Sequence, residues 1–244
     1  MVDAYNASHK NKVKLTVIPT DNHQPRVAAA AGAHQLPDVF ASDVVFVPKY
    51  TSQNLFLDIT DRIAKLPFRS ALAPSHMRLG TRDGRQYTLP HTIDSSVLFY
   101  NKVLYKKAGL DPGKPPTTLK EFAEQATTIR KKLGGGTYGT FFGGACGGCY
   151  VFTYWRSIWA AGGGVMDTLG TRSTIDSPAA QQVFQIYHDL WKNGVVEPSV
   201  KDEKGATWTG LFPKGIIGVM PMPSTTLGLM PDNAKGQGRR RAAP

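Results

Sequence analysis

The stretch Leu89-Pro90-His91-Thr92-Ile93-Asp94-Ser95-Ser96-Val97-Leu98-Phe99-Tyr100-Asn101-Lys102 decides how this chain is read. A short polar loop runs into an apolar strand, Val97 to Tyr100, which ends at Asn101. A helical segment, Val103 to Ala108, follows, and Gly109 stops it. Asp94 stands just ahead of the strand, so a carboxylate is fixed on a rigid element. Sites for small polar ligands are built that way.

Working outward, the same alternation of strand and helix recurs. Val13 to Ile18 alternates and ends at Pro19, which predicts a strand. Arg26 to His34 is Ala-rich and reads as a helix, Pro37 to Ala41 as a short strand, and Val44 to Asn54 as the start of another helix. Leu55 to Ile59 leads into a helix at 60–64, with Thr60 or Asp61 as its N-cap. This order predicts an α/β layer fold.

Two further helices are predicted from caps and periodicity together. One opens at Thr117 or Thr118, with Thr118 and Glu121 as a capping box. Its stripe is Leu119, Phe122, Ala126, Ile129 and Leu133, and Gly134 ends it. The other has Ser177 as N-cap and Pro178 at its first position, with Val183, Ile186, Tyr187, Leu190 and Trp191 on one face and Gly194 after it. Both stripes read as core faces. Lys114 to Thr118, with Pro115-Pro116, reads as a linker between an N-terminal α/β lobe, 1–114, and a second, mostly helical lobe, 115–232; 233–244 reads as a disordered basic tail.

The 244 residues are 41% hydrophobic and 19% charged, values of a globular chain. No apolar run is long enough to span a bilayer. Met1 to Asn6 has neither a basic n-region nor an apolar h-region, so no secretory signal is read there; at face value the product stays in the cytoplasm. The net charge is +11, and the tail carries Lys235, Arg239, Arg240 and Arg241 with no acid. The other basic residues are dispersed and are not interleaved with stacking aromatics, so no nucleic-acid partner is expected.

Cys146-Gly147-Gly148-Cys149 holds both cysteines, and several readings compete. A thiol-disulfide oxidoreductase would place such a pair at a helix start after a strand. Structural zinc would need a second pair of ligands, which the sequence does not supply. Free thiols remain open, and a local disulfide tightening a Gly-rich loop is the favoured reading. No phosphate-binding Gly-x-x-x-x-Gly-Lys-Ser/Thr and no Gly-x-Ser-x-Gly nucleophile elbow occur, and nothing singles out a catalytic acid pair. No cofactor or enzymatic activity is expected. Phe152-Thr153-Tyr154-Trp155, with Trp159 one turn on, is either core or a platform on which the CH faces of a sugar could stack.

Several segments, taken in order, resemble the extracellular solute-binding proteins of ABC importers, specifically the sugar-binding family of maltodextrin and multiple-sugar type. Leu36 to Ala41 resembles the family's "PDV" strand, Leu89 to Lys102 its "P…YNK" segment, and Lys106 to Leu110 its "KKAGL". Thr117 to Phe122 resembles "TWDEF", Trp159 to Gly163 "WAAGG", Ser177 to Ala180 "SPEA", and Phe212 to Met220 "F..GK.AM". The resemblance implies a periplasmic-binding-protein-like α/β fold of two lobes with mixed sheets and a hinge. It implies a sugar or polyol bound between the lobes, with a membrane permease of the ABC type as partner.

By position in those segments, the resemblance assigns ligand contacts to Ser42 and Asp43, to Asp94 and Ser95, and to Tyr154 and Trp155. Thr225 falls where many members carry a stacking Trp, which leaves the sugar unnamed. The resemblance covers roughly 13–232. The family's first strand, its signal or lipoprotein cysteine and its C-terminal part find no match, so the chain reads as a member truncated at both ends. The family implies an extracytoplasmic location. The competing functions are a thiol oxidoreductase using Cys146 and Cys149, and a truncated fragment that binds nothing.

Overall fold

In a computed structural model, residues 2–167, 171–205 and 207–230 are described. The expected tail, 233–244, lies outside them. The chain forms two compact units, Met1–Phe40 and Ala41–Pro244.

The first unit holds α1 (Val2–Ser8) and α2 (Thr20–Gly32). The strand expected at Val13 to Ile18 is absent; 12–19 have no regular structure. The reason is local. Asn6 takes both backbone groups of Val13: its Nδ2 donates to the Val13 carbonyl at 2.8 Å, and its Oδ1 accepts from the Val13 N–H at 2.7 Å. Alternating apolar residues make a strand only where a partner backbone is present. Pro37 to Ala41 likewise forms no strand. The second helix starts earlier than expected and runs through Pro25.

The second unit opens with α3 (Val47–Ser52), α4 (Thr60–Ala64) and α5 (Pro74–Leu79). The N-cap of α4 is Ile59, not Thr60 or Asp61, and it makes no side-chain cap bond; Asp58 Oδ1, one residue earlier, accepts the Thr60 N–H at 3.0 Å. A hairpin follows, β1 (Thr81–Arg82) and β2 (Arg85–Gln86). Its turn, Asp83-Gly84, has φ of 51° and 75°, the left-handed pair that matches the twist of a two-residue hairpin.

β3 (Ser96–Tyr100) is the predicted strand, and Asn101 ends it by capping α6 (Lys102–Lys107). Asn101 Oδ1 accepts from the N–H groups of Val103 at 3.0 Å and Leu104 at 3.1 Å. β3 pairs antiparallel with β4 (Val219–Pro223), Ser96 opposite Pro223 and Tyr100 opposite Val219. Pro221 and Pro223 cannot donate to a ladder, and β4 has a single strand partner among the described residues.

α7 (Leu119–Leu133) is capped by Thr118, whose hydroxyl accepts the Glu121 N–H at 3.1 Å. Glu121 returns its carboxylate to the Thr117 N–H at 2.7 Å. α8 (Tyr154–Ala160) precedes α9 (Pro178–Lys192), where Ser177 caps the Ala180 N–H at 3.4 Å. The expected stripes meet: Phe122, Ala126 and Ile129 of α7 are buried in one core with Val183, Tyr187 and Leu190 of α9. Trp191 departs from its expected core place and is 45% exposed. The segment through Gly139 presses on α7 so closely that a Cβ there would stand 2.1 Å from the Ala126 carbonyl oxygen.

Candidate functional site

The paired strands carry the predicted carboxylate to one end of the ladder. Asp94 immediately precedes β3, and its partners follow β4. Ser224 Oγ donates to Asp94 Oδ1 at 2.6 Å, and the Thr225 N–H to the same oxygen at 3.2 Å. The Thr225 hydroxyl donates to Oδ2. The Ser95 N–H donates to Oδ1 at 2.8 Å, and the Ser95 carbonyl accepts the Ser224 N–H at 2.9 Å. Burial pushes the Asp94 carboxyl up. The bonds from Ser224, Thr225 and Ser95 outweigh it and hold the group below the usual carboxylate range.

Three of the residues assigned from the sequence, Asp94, Ser95 and Thr225, are therefore in direct contact. Ser224 was missed; Ser and Thr are ordinary turn residues, and only the fold brings this pair opposite Asp94. A carboxylate offers about four lone-pair sites. Oδ1 receives three protein donors and Oδ2 one, so Oδ2 keeps acceptor capacity.

The cysteine loop stands against the same end. Ser96 Oγ donates to the Phe152 carbonyl at 2.8 Å, tying the start of β3 to the segment after the cysteines. Cys146 and Cys149 form a disulfide, and both residues are buried. Glycines wall it in: a Cβ at Gly205 would meet Cys146 Sγ at 3.0 Å, and one at Gly143 would meet Cys149 Sγ at 3.2 Å. An attacking thiolate needs access to a sulfur, and this packing denies it.

Asp43 lies beside the loop: a Cβ at Gly148 would be 3.1 Å from its Oδ2. Ser42 is half-buried, and its hydroxyl reaches the Asp43 carbonyl at 3.4 Å. Tyr154 is packed on four rings, Phe142, Tyr150, Phe184 and Tyr187, with the Tyr187 centroid 4.9 Å away. Burial, with Tyr187 and Tyr150 adding to it, pushes its phenol up. Trp155 is half-buried against the same core, while Trp159 is 50% exposed.

Two residues that sequence reasoning passed over complete the surroundings. Glu203 is buried; its Oε1 accepts the N–H groups of Gly205 at 2.6 Å and Thr207 at 3.1 Å, and its Oε2 the Thr207 hydroxyl. Burial raises the Glu203 carboxyl, and these bonds bring it below its ordinary value. Trp208 is buried against Phe152, ring centroids 5.9 Å apart. A surface groove of about 400 Å³ lies elsewhere, between α7 and α9, lined by Thr127, Thr128, Asp189 and Asn193 among others. None of its lining residues belongs to the polar cluster around Asp94.

The family model for the bacterial extracellular solute-binding proteins matches residues 1–238. The chain belongs to that family. It is a family of binding proteins.

A binding protein of Brucella abortus (strain 2308) is 28% identical over 153 residues, 63% of this chain and 36% of that one. An ABC-transporter solute-binding protein of Thermotoga lettingae TMO, solved with α-D-tagatose, superposes with a TM-score of 0.87 at 19% identity, over 100% of this chain and 64% of that one. One from Agrobacterium radiobacter K84, solved with ribitol, gives a TM-score of 0.81 at 22% identity, over 100% and 62%. The fold is thus α/β and periplasmic-binding-protein-like, as the sequence implied. The chain spans about a third of the curated relative's length and under two thirds of those solved chains. Among the described residues no helix is long and apolar enough to cross a membrane.

Proposed function

We propose that this chain is the substrate-binding component of an ABC importer, holding a sugar or polyol outside the cytoplasm and presenting it to a membrane permease, with no bond made or broken. The ligand sits between an N-terminal lobe ending near residue 114 and a second lobe from 115, and closure around it is what the permease reads. The observation that carries this reading is the meeting of Asp94 with Thr225, 131 residues apart in the chain, at one end of the β3–β4 ladder. Oδ2 of Asp94 accepts a ligand hydroxyl there, Asp43 supplies a second carboxylate by the cysteine loop, and Trp155 offers an apolar face.

The experiment is a thermal-shift screen of the purified chain against maltose, D-tagatose, ribitol and sn-glycerol 3-phosphate, followed by isothermal titration of whatever shifts it. A ligand that binds only the folded form raises the melting temperature, by about 2.7 kcal/mol of added stability at a hundredfold excess over Kd. Binding of a sugar or polyol that is weakened in Asp94→Ala supports the reading. No shift with any member of the panel ends it.

A further inference from the structure

The basic residues between 62 and 82, Arg62, Lys65, Arg69, Arg78 and Arg82, have no acid among them; Asp61 stands just ahead. Three of them lie on one short run of turns. The chain leaves α4 through bonds between residues three apart. The Leu66 N–H reaches the Ile63 carbonyl at 3.1 Å and the Arg69 N–H the Leu66 carbonyl at 3.2 Å; Ala71 reaches Phe68 at 2.9 Å and Leu72 reaches Arg69 at 3.2 Å. In such turns side chains three apart eclipse one another.

Two columns result. Ile63 is 4% exposed, and Leu66 and Leu72 are half-buried, so their column faces the protein. Arg62, Lys65 and Phe68 stand on the next column. Both cations are exposed, and Phe68 is 51% exposed. Arg69, beside Phe68, is exposed as well. Among the described residues no carboxylate lies in ion-pair range of Arg62, Lys65 or Arg69, whereas Arg82 has Asp83 at 3.4 Å and Arg85 has Asp58 at 3.5 Å. The run is tied down at its start. The Gln86 N–H donates to the Thr60 hydroxyl at 2.9 Å, and Gln86 Nε2 to the Met77 carbonyl at 3.2 Å, which fastens α4 to the hairpin and to α5.

We propose that Arg62, Lys65, Phe68 and Arg69 form a docking surface for an anionic lipid bilayer. Ammonium and guanidinium groups bind the phosphates of lipid headgroups, and each one near an anionic leaflet strengthens association. A phenyl ring held in water gains by entering the boundary between headgroups and acyl chains. An acidic protein segment answers the three cations but gives no reason for the ring among them. The surface uses none of the residues around Asp94, so it stands or falls independently of the function proposed above.

Co-sedimentation of the full chain with vesicles tests it. The vesicles are phosphatidylcholine alone or with about 30% phosphatidylglycerol, at about 50 or about 300 mM salt. The expected result is binding to the anionic vesicles alone, weaker at the higher salt. Lys65→Gln and Arg69→Gln are each expected to weaken it about fivefold. Phe68→Ser is expected to weaken it at both salt concentrations, because apolar burial is not screened. The same losses are expected in a chain that also carries Arg239→Gln, Arg240→Gln and Arg241→Gln, which removes C-terminal charge from the comparison. Lys106→Gln with Lys107→Gln, two exposed charges lost from α6, is expected to cost less than Lys65→Gln with Arg69→Gln.

Equal binding to neutral vesicles, or unchanged binding in the Lys65, Phe68 and Arg69 variants, overturns the surface. So does an equal loss in the Lys106 and Lys107 pair, which leaves net charge as the cause, or a loss confined to the C-terminal arginines. Binding to polyglutamate without binding to vesicles assigns the cations to an acidic protein and overturns it too. Circular dichroism melts establish that each variant is folded. If Phe68→Ser does not fold, Lys65→Gln and Arg69→Gln decide against the Lys106 and Lys107 pair.

Discussion

The carboxylate of Asp94 accepts a 2.6 Å hydrogen bond from the hydroxyl of Ser224, across 130 residues of chain. It fastens the entrance of β3 to the exit of β4.

Removing it is expected to cost stability whether or not a ligand is present. Asp94→Ala leaves Ser224 and Thr225 without their acceptor, and hydrogen bonds to a charged group are worth roughly 1.5–3 kcal/mol, less where solvent reaches them. Urea denaturation should show a lower midpoint for Asp94→Ala, and a smaller loss for Ser224→Ala, since Thr225 and Ser95 still hold the carboxylate. Equal losses in the two variants would remove the clamp.

Acid should act through the same bonds. The folded Asp94 and Glu203 carboxyls lie below their ordinary values, for Asp94 despite burial and because of Ser224, Thr225 and Ser95, for Glu203 despite burial and because of Thr207 and Gly205. A depressed folded pKa contributes stability that is fully present above the unfolded value, about 4, and is lost as pH falls toward the folded one. Melting temperature should be level above about pH 5 and fall below about pH 4. The fall should be shallower in Asp94→Asn and Glu203→Gln, which start lower.

The disulfide closes a loop of only a few residues, so chain entropy assigns it about 2 kcal/mol. Cys146→Ser with Cys149→Ser should lower the melting temperature by a few degrees. No thiol-disulfide exchange is expected while the fold is intact, because Gly143 and Gly205 pack on the sulfurs. Rapid insulin reduction by the chain would contradict this.

Gly205→Ala should be worse than its one methyl suggests. Gly205 has φ of +110°, and a Cβ there would be 3.0 Å from Cys146 Sγ. Strain and crowding act together. Gly139→Ala should be the more severe, with a Cβ 2.1 Å from the rigid Ala126 carbonyl oxygen. Circular dichroism melts of the two, beside Gly147→Ala, where nothing lies within 4 Å, give the comparison.

Local chemistry was legible wherever one segment decides its own form. Asn101 ends β3 and caps α6, Ser177 and Thr118 start their helices, and Gly109 and Gly194 follow helices with positive φ, because caps and left-handed turns depend on near neighbours. The Asp83-Gly84 hairpin carried an equally local signal and was passed over. Partnership across the chain was not legible. Val13 to Ile18 has the alternation of a strand, yet Asn6 takes its first backbone groups and no ladder forms. Trp191 has a core residue's spacing and sits half in water.

By itself the sequence determined strand β3, the caps of α6, α7 and α9, the buried faces of α7 and α9, and the resemblance that singled out Asp94 and Thr225. Only the tertiary structure decided that these two bind each other through Ser224's neighbourhood, that Gly205 lies over the disulfide, and that Trp208 is shut in against Phe152. The physical reason is range: caps and turns act over about four residues, whereas a hydrogen bond spanning 130 positions exists only after the strands between have paired.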